Sequence, residues 1–423
     1  MIRHIFKIIR SQFRSNLWIL TELFVTFVVV WLMVDYFICQ AVLTHEPVGF
    51  ETDRVYSAQL SITSPDAESF IKYDEGSPEP LRNFQHIIDR LSAQPEVEAV
   101  AYAYLSMPYT NSSYTNGFQR DTTEWFQCRG YQVSPGYFRV FHITDANTGD
   151  TENLEQKLTQ DGWIIGENLA EAIYGRRNVV GEALYYGADT LKSNIIAVSE
   201  SIRNDKYNTR YPWGYFDYLD LNTSISQGFT ESDLGGLQIA FRIRPNVNLS
   251  GFADRFFQRT KTELQAGNFQ ISSIVPYDDI RRDFLRNHNA ANTARLVSTV
   301  GSFLLVNIFL AIIGTFWFRI SRRRSELGLR MALGSSRGGI FRFCFLEGLI
   351  LLTLAAVPAI LVCANLLWGD IISTEVMPQS LTRFLTDVLI SWLVLALTIL
   401  LGIAYPAWQA ATLRPADALH EEG

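Results

Sequence analysis

The chain has 423 residues, of which 48% are hydrophobic and 19% charged, with 36 Lys and Arg against 43 Asp and Glu. A net charge of −7 lacks the basic footprint of a nucleic-acid binder, so no nucleic acid is expected as a partner. Four cysteines, three of them in or beside apolar runs, exclude a disulfide framework.

Residues 1–16 carry Arg3, Lys7, Arg10 and Arg14 and read as a short amphipathic cytoplasmic segment. Residues 17–43 follow as a first apolar run, longer than the ~20 residues that cross a bilayer core of ~30 Å. A secretory h-region is only ~7–15 residues, and "FICQAVLTHEP" offers no cleavage site, so this run is expected to be a retained anchor. Residues 44–293 are the one long polar stretch. "RVYSAQLSI" (54–62) alternates like a strand, "PLRNFQHIIDRLSAQ" (80–94) has helical spacing, and "EVEAVAYAYLS" (96–106) is a strand again. The same order returns in "LQIAFRIR" (237–244), "LSGFADRFFQRTKTELQ" (249–265) and "FQISSIVPY" (269–277). These two strand–helix–strand units, about 44–106 and 231–293, predict one membrane-near subdomain. An insert of about 107–230 predicts a second, smaller α+β subdomain. Its end, 203–235, is rich in Asn, Tyr, Trp and Gly and reads as a long loop, its aromatics packed between subdomains or open to a ligand.

Three further apolar runs follow, at 294–318, 343–367 and 384–405. Leu296–Phe318 has no ionisable residue, and Pro358 in the third run is tolerable because neighbouring helices can satisfy the freed backbone. The fold class is therefore an α-helical membrane protein with four transmembrane helices plus a large extracytoplasmic α+β domain made of two subdomains. Segments 1–16, 319–342 and 406–423 hold twelve Lys and Arg against four acids, so the rest of the chain carries −15. By the positive-inside rule these three segments are cytoplasmic, with both termini inside, 44–293 outside and 368–383 a short outer loop.

Chemistry is sparse. No Gly is followed by Lys, so a GxxxxGK[ST] phosphate loop is excluded and the chain is not expected to be an enzyme. His4, His45, His86, His142, His288 and His420 have no zinc-site spacing, and no cofactor is expected on this chain. "GSSRG" (334–338) matches a hydrolase elbow but lacks the strand before it. Glu22 and Glu347 lie a turn or so inside the cytoplasmic ends of their spans, and Asp35 lies near the outer end. For Glu347, pairing with the Arg-rich segment is favoured over proton transport.

That segment, "RRRSELGLRMALGSSRGG" (322–339), contains a helix-forming stretch with Glu326 and Arg330 as an i, i+4 pair. Gly334 suits a C-cap, with Ser335 or Ser336 capping the next helix. Leu327, Met331 and Leu333 would lie on membrane lipids or plug into a partner. "RRRSELGLRMALGSSRGGIFRFCFLEG" resembles the signature of the FtsX-like permease family, and "YPAWQAATLRPADALHEEG" (405–423) resembles its usual ending. "VSPGYFRVFHI" and "WIIGENLAEAIYG" are similar to the periplasmic core domain of MacB-like transporters.

The resemblance implies a permease subunit of an ABC transporter in a bacterial inner membrane. It also implies a mechanism of mechanotransmission and a role in export or efflux. The segment from Ser325 to Gly334 would be the coupling helix, with Glu326, Leu327, Arg330 and Leu333 contacting an ABC ATPase that carries the ATP and Mg. MacB carries its ATPase on the same chain. This sequence begins sixteen residues before a span, so a separate ATPase subunit is expected. Trp408, Gln409 and His420 depart from the usual basic ending. The resemblance also implies a dimer with itself or a paralogous permease, and a periplasmic adaptor and outer-membrane channel. The alternative is an FtsX-type signalling subunit controlling a periplasmic cell-wall hydrolase.

Overall fold

The computed structural model describes residues 13–45, 47–74, 76–110, 112, 114–120, 125–186, 191–203, 213–287, 289–322, 329–330, 333–369 and 380–412. The chain separates into two compact units, Glu46–Asn292, and Met1–His45 with Thr293–Gly423. In chain order the described elements are α1 (Phe13–His45), β1 (Val55–Ile62), α2 (Glu79–Ser92), β2 (Val97–Tyr104), β3 (Tyr114–Gln119), β4 (Phe126–Val133), α3 (Tyr137–Phe141) and α4 (Thr151–Leu158). They continue with β5 (Trp163–Gly166), α5 (Glu167–Tyr174), β6 (Ala183–Tyr186), β7 (Leu191–Ser199), β8 (Gly214–Tyr218), α6 (Leu221–Ser226), α7 (Glu231–Gly235), β9 (Gln238–Ile243) and α8 (Phe252–Thr260). Last come β10 (Gln265–Ala266), β11 (Phe269–Pro276), α9 (Tyr277–Asn287), α10 (Asn289–Arg322), α11 (Arg337–Trp368) and α12 (Leu381–Thr412).

The sheet unit is built on the two strand–helix–strand stretches. In β2, Val97, Ala99, Ala101 and Ala103 are buried and their neighbours half-buried, the period of two of a strand with one core face. α2 buries Leu81, Phe84, Ile87 and Leu91, the three-and-four spacing of an amphipathic helix. The Phe84 ring meets Tyr102 at 5.6 Å and Phe269 at 6.4 Å, both edge-on. Burying such a side chain contributes roughly 1.5–3 kcal/mol.

The strand order is β10-β11-β1-β9-β2-β4-β3-β6-β7-β5-β8. The first five strands pair antiparallel. β2 then meets β4 over only two residue pairs, Ala103–Val133 and Tyr104–Gln132. A parallel pairing of β8 back onto β4 closes the last six strands into a ring, which leaves them no free edge. Phe118, Cys128, Ile165, Leu184, Ile195 and Tyr215 are buried together in a cluster drawn from these strands. Buried Arg242 of β9 donates to the carbonyls of Val140, Asp53 and Glu51 at 2.7, 3.0 and 3.1 Å, so its donors are satisfied as burial requires.

Two local expectations change. The stretch 203–235, read as a loop, holds β8, α6 and α7 among its described residues; 204–212 lie outside them. Asp220 caps α6 through the Asn222 amide, and Thr230 with Asp233 forms a capping box on α7. Helices of five and six residues are too short for a periodic signal. The helix read over 249–265 ends at Thr260, and Gln265–Ala266 pair with β11 instead.

The helical unit holds four helices long and apolar enough to cross a membrane, Asn16–Leu43, Asn292–Arg322, Gly338–Trp368 and Leu381–Ala404. Phe27 and Trp31 of α1, Leu351, Ala355 and Ala359 of α11, and Ile399 and Ile403 of α12 pack in one buried cluster. Small residues such as Ala355 and Ala359 let helices approach closely without a hydrophobic drive between them. Pro358 sits within an unbroken α11. A Cβ on Gly402 would lie 3.1 Å from the Ile313 Cα, so α12 passes close to α10 at this glycine. α10 buries Ile312, Phe316 and Ile320 but exposes Leu296, Phe303, Val306 and Leu310.

Candidate functional site: the inter-span segment and the buried charges

α10 ends at Arg322 and α11 begins at Arg337. Between them the described residues are 329–330 and 333–336. Ser325, Glu326 and Leu327 lie outside the described residues. The Leu333 amide donates to the Leu329 carbonyl and the Ser335 amide to the Arg330 carbonyl, both at 3.0 Å. These bonds close a helical turn. Gly334 has φ +97, the left-handed region that ends helices at little cost only for glycine. Ser336 caps α11, its Oγ accepting from the Gly339 amide at 3.1 Å; that capping role accounts for the serine of "GSSRG".

Among the described residues two of the segment's cations stand over rings. The Arg330 guanidinium stands 4.0 Å over Phe343, and that of Arg322 stands 4.2 Å over Phe318. Cation–π contacts of this kind contribute roughly 0.5–1 kcal/mol at exposed sites. Two leucines of the turn are exposed, Leu329 by 52% and Leu333 by 81%. Arg330, Leu333 and Gly334 therefore share one short turn, which presents apolar surface beside a fixed charge.

Several ionisable residues of the long helices have polar partners on a neighbouring helix. Arg319 of α10 meets Glu347 of α11 at 2.6 Å and donates to the Asn16 side chain of α1 at 2.8 Å. Arg319 is 12% exposed and Glu347 5%. Glu22 of α1, half-buried, accepts from the Thr315 hydroxyl of α10 at 3.0 and 3.2 Å. These contacts tie three helices together near the segment. At the other end of the helices, Asp35 of α1 accepts from Arg383 of α12 through Nε at 2.8 Å and Nη2 at 2.9 Å, a buried two-pronged pair. Such bidentate geometry is the strong form of the ion pair.

By sequence Arg383 falls in the outer loop 368–383 and Asp387 in an otherwise apolar run, so neither stands out there as a site residue. The signal was present: an Arg and an Asp four apart at the start of a span, where ionisable residues are rare and functional. In the sheet unit, a groove of about 470 Å³ lies beside Phe70, Tyr73, Phe229 and Glu231. Among the described residues no three His, Cys, Asp or Glu gather as a metal site.

Residues 298–415 match the family model of the FtsX-like permease C-terminal domain. Along 78% of its length the chain is 22% identical to the macrolide export ATP-binding/permease protein MacB of Vibrio parahaemolyticus, covering 47% of that protein. It is 22% identical to the MacB of a Shewanella species over 79% of its length, covering 48% of that protein. The chain spans about half the length of the curated relatives it matches. Among solved structures, the periplasmic region of MacB from Actinobacillus actinomycetemcomitans aligns with TM-score 0.33 at 13% identity, over 58% of this chain and 98% of that one. The extracellular domain of the noncanonic ABC-type transporter YknZ aligns with TM-score 0.30 at 10% identity, over 51% of this chain and 100% of that one.

Proposed function

We propose that this chain, FtsX-like over residues 298–415 and MacB-like along most of its length, is the membrane subunit of an ABC transporter. Its ATPase is supplied from outside these 423 residues, within which no phosphate loop can form. ATP and Mg belong to that partner. The observation that carries the reading is the order of parts. A basic, leucine-bearing turn joins the second and third of four apolar helices, inside the stretch that matches the permease family.

The mechanism we infer is leverage. ATP-driven closure of two ATPases moves the segment around Leu327, Arg330 and Leu333. Arg319, bonded to both Glu347 and Asn16, passes that movement to α11 and α1. The sheet unit is the chain between the first and second spans, so movement of those spans would reach it from both of its ends. The charge split supports a cytoplasmic side for the basic segment and both termini, and the far side for the sheet unit. A bacterial inner membrane, a dimer with a second copy or a paralogue, an adaptor with an outer-membrane channel, and export as the output complete the proposal.

The test is reconstitution. The purified chain alone is expected to hydrolyse no ATP. Mixed with its ABC ATPase in lipid discs, it should bind and alter ATP turnover. An ATPase whose turnover and binding ignore the chain would remove the reading.

A further inference from the structure

The Asp35–Arg383 pair has a neighbour that the pair itself does not explain. Asp387 lies one turn beyond Arg383 on α12 and is fully buried. Neither of its carboxyl oxygens has a hydrogen-bond partner among the described residues. It shares a face of α12 with Arg383, one turn away, and Arg383 holds Asp35 of α1, which sets the Asp387 carboxyl beside that pair. On α1, Cys39 is buried one turn from Asp35. α11 brings no Asp, Glu, Lys or Arg between Glu347 and Trp368; its Cys363 is buried. The Phe384 ring contacts Trp31 at 6.0 Å and Trp368 at 5.0 Å, which adds an aromatic wall to the surroundings. Asp370 lies outside the described residues.

Two carboxylates and one guanidinium leave an excess negative charge in an apolar seam. Arg383 cannot discharge, because a guanidinium stays protonated in proteins. Its Nε and Nη2 are given to Asp35. An ionised carboxyl without hydrogen bonds is very costly in such a place, and the ordinary remedy is neutralisation. Two carboxyls in contact do not both ionise; they share a proton. Asp35 can accept it, since a carboxylate has about four lone-pair positions and Arg383 takes two.

We propose that Asp387 binds a proton and donates it to Asp35, so that α1 and α12 share a one-proton carboxyl pair seated on Arg383. The proton adds to a carboxylate oxygen from water and returns to water; no other bond changes. Loss of the proton sets two like charges side by side and pushes α1 away from α12. The site thereby links the seam between the first and fourth spans to proton concentration on the Arg383 side. It stands whether or not an ATPase binds elsewhere on the chain.

The test uses the full chain in lipid discs, read by infrared spectroscopy. The spectrum of the parent minus that of Asp387→Asn at neutral pH should show the carbonyl stretch of a protonated carboxylic acid, shifted in D2O. Asp35→Asn should abolish that band, because Asp387 then ionises and pairs with Arg383. Asn mimics the protonated side chain, so Asp387→Asn should melt with the parent at neutral pH and resist the alkaline destabilisation that the parent shows. Absence of the band, or its survival in Asp35→Asn, would overturn the proposal. So would an Asp387→Asn chain that fails to fold or melts well below the parent at neutral pH. Stabilisation by sodium or potassium in place of the band would identify a metal cation and overturn it equally.

Discussion

Arg319 of α10 and Glu347 of α11 meet at 2.6 Å, the arginine largely and the glutamate fully buried, and join the helices flanking the basic segment. Removing one partner of a buried pair strands the other, at a cost of about 3–5 kcal/mol, whereas replacing both by apolar residues is often neutral. Glu347→Ala should therefore lower the melting temperature of the chain in detergent strongly. The double variant Arg319→Met with Glu347→Met should recover most of the loss. A double variant as unstable as the single would show that the pair is not the source.

The close passage of α12 and α10 at Gly402 can be tested by volume. Gly402→Leu places a branched side chain where even a Cβ would stand 3.1 Å from the Ile313 backbone. Overpacking of this kind costs typically 1–3 kcal/mol. Unchanged stability of Gly402→Leu would contradict the close approach.

Two acids of the sheet unit give opposite pH signatures. Glu96 is held below the usual carboxylate range chiefly by its hydrogen bonds with Arg259, at 2.5 and 2.8 Å. Its contribution is present above the unfolded-state pKa and is lost as pH falls through the lower folded value. The Arg259 side is half-exposed, so Glu96→Gln should cost no more than about 1 kcal/mol at neutral pH, and nothing in strong acid. Burial pushes the Asp217 carboxyl up. Its ionised form opposes folding, and stability falls as pH rises through the window between its unfolded and folded values. Asp217→Asn should be stabilising relative to the parent above that window and neutral below it. Melting of the full chain across pH measures both; parallel curves for either variant and the parent would refute that assignment.

Sidedness follows from charge and is open to direct labelling. Cysteine at the exposed position of Ser92 in the sheet unit should react with a membrane-impermeant thiol reagent applied outside spheroplasts. Cysteine at the exposed position of Ser335 should not. The four native cysteines are buried and should give little background. Labelling at 335 from outside would reverse the orientation.

Much of this architecture is legible in the residues because its signals are local. β1, α2, β2 and β11 announce themselves by period, and the four apolar helices by length. What escapes is set by contacts far apart in sequence. The ring of six strands depends on β8 returning to β4, and Asp35 finds Arg383 across 348 residues. The charge of Arg383 and Asp387 is diluted in a window that is otherwise apolar. In the inter-span segment the caps at Gly334 and Ser336 are readable because capping is a rule of the backbone itself. Which protein the leucines of that turn meet is written in a partner's groove, and no pattern within this chain records its shape.

That question decides the account, and co-purification in detergent answers it most directly. Detergent removes the bilayer, so loss of the complex cannot be a loss of lipid contact. A buried leucine anchor is worth roughly 1.5–3 kcal/mol, and placing a charge in its groove costs more than truncating it. Leu327→Asp and Leu333→Asp are predicted to give folded, membrane-inserted chains that no longer retain the ABC ATPase, while Ser92→Asp, in the sheet unit, retains it. Full recovery of the ATPase with both leucine variants would contradict the coupling role of this segment.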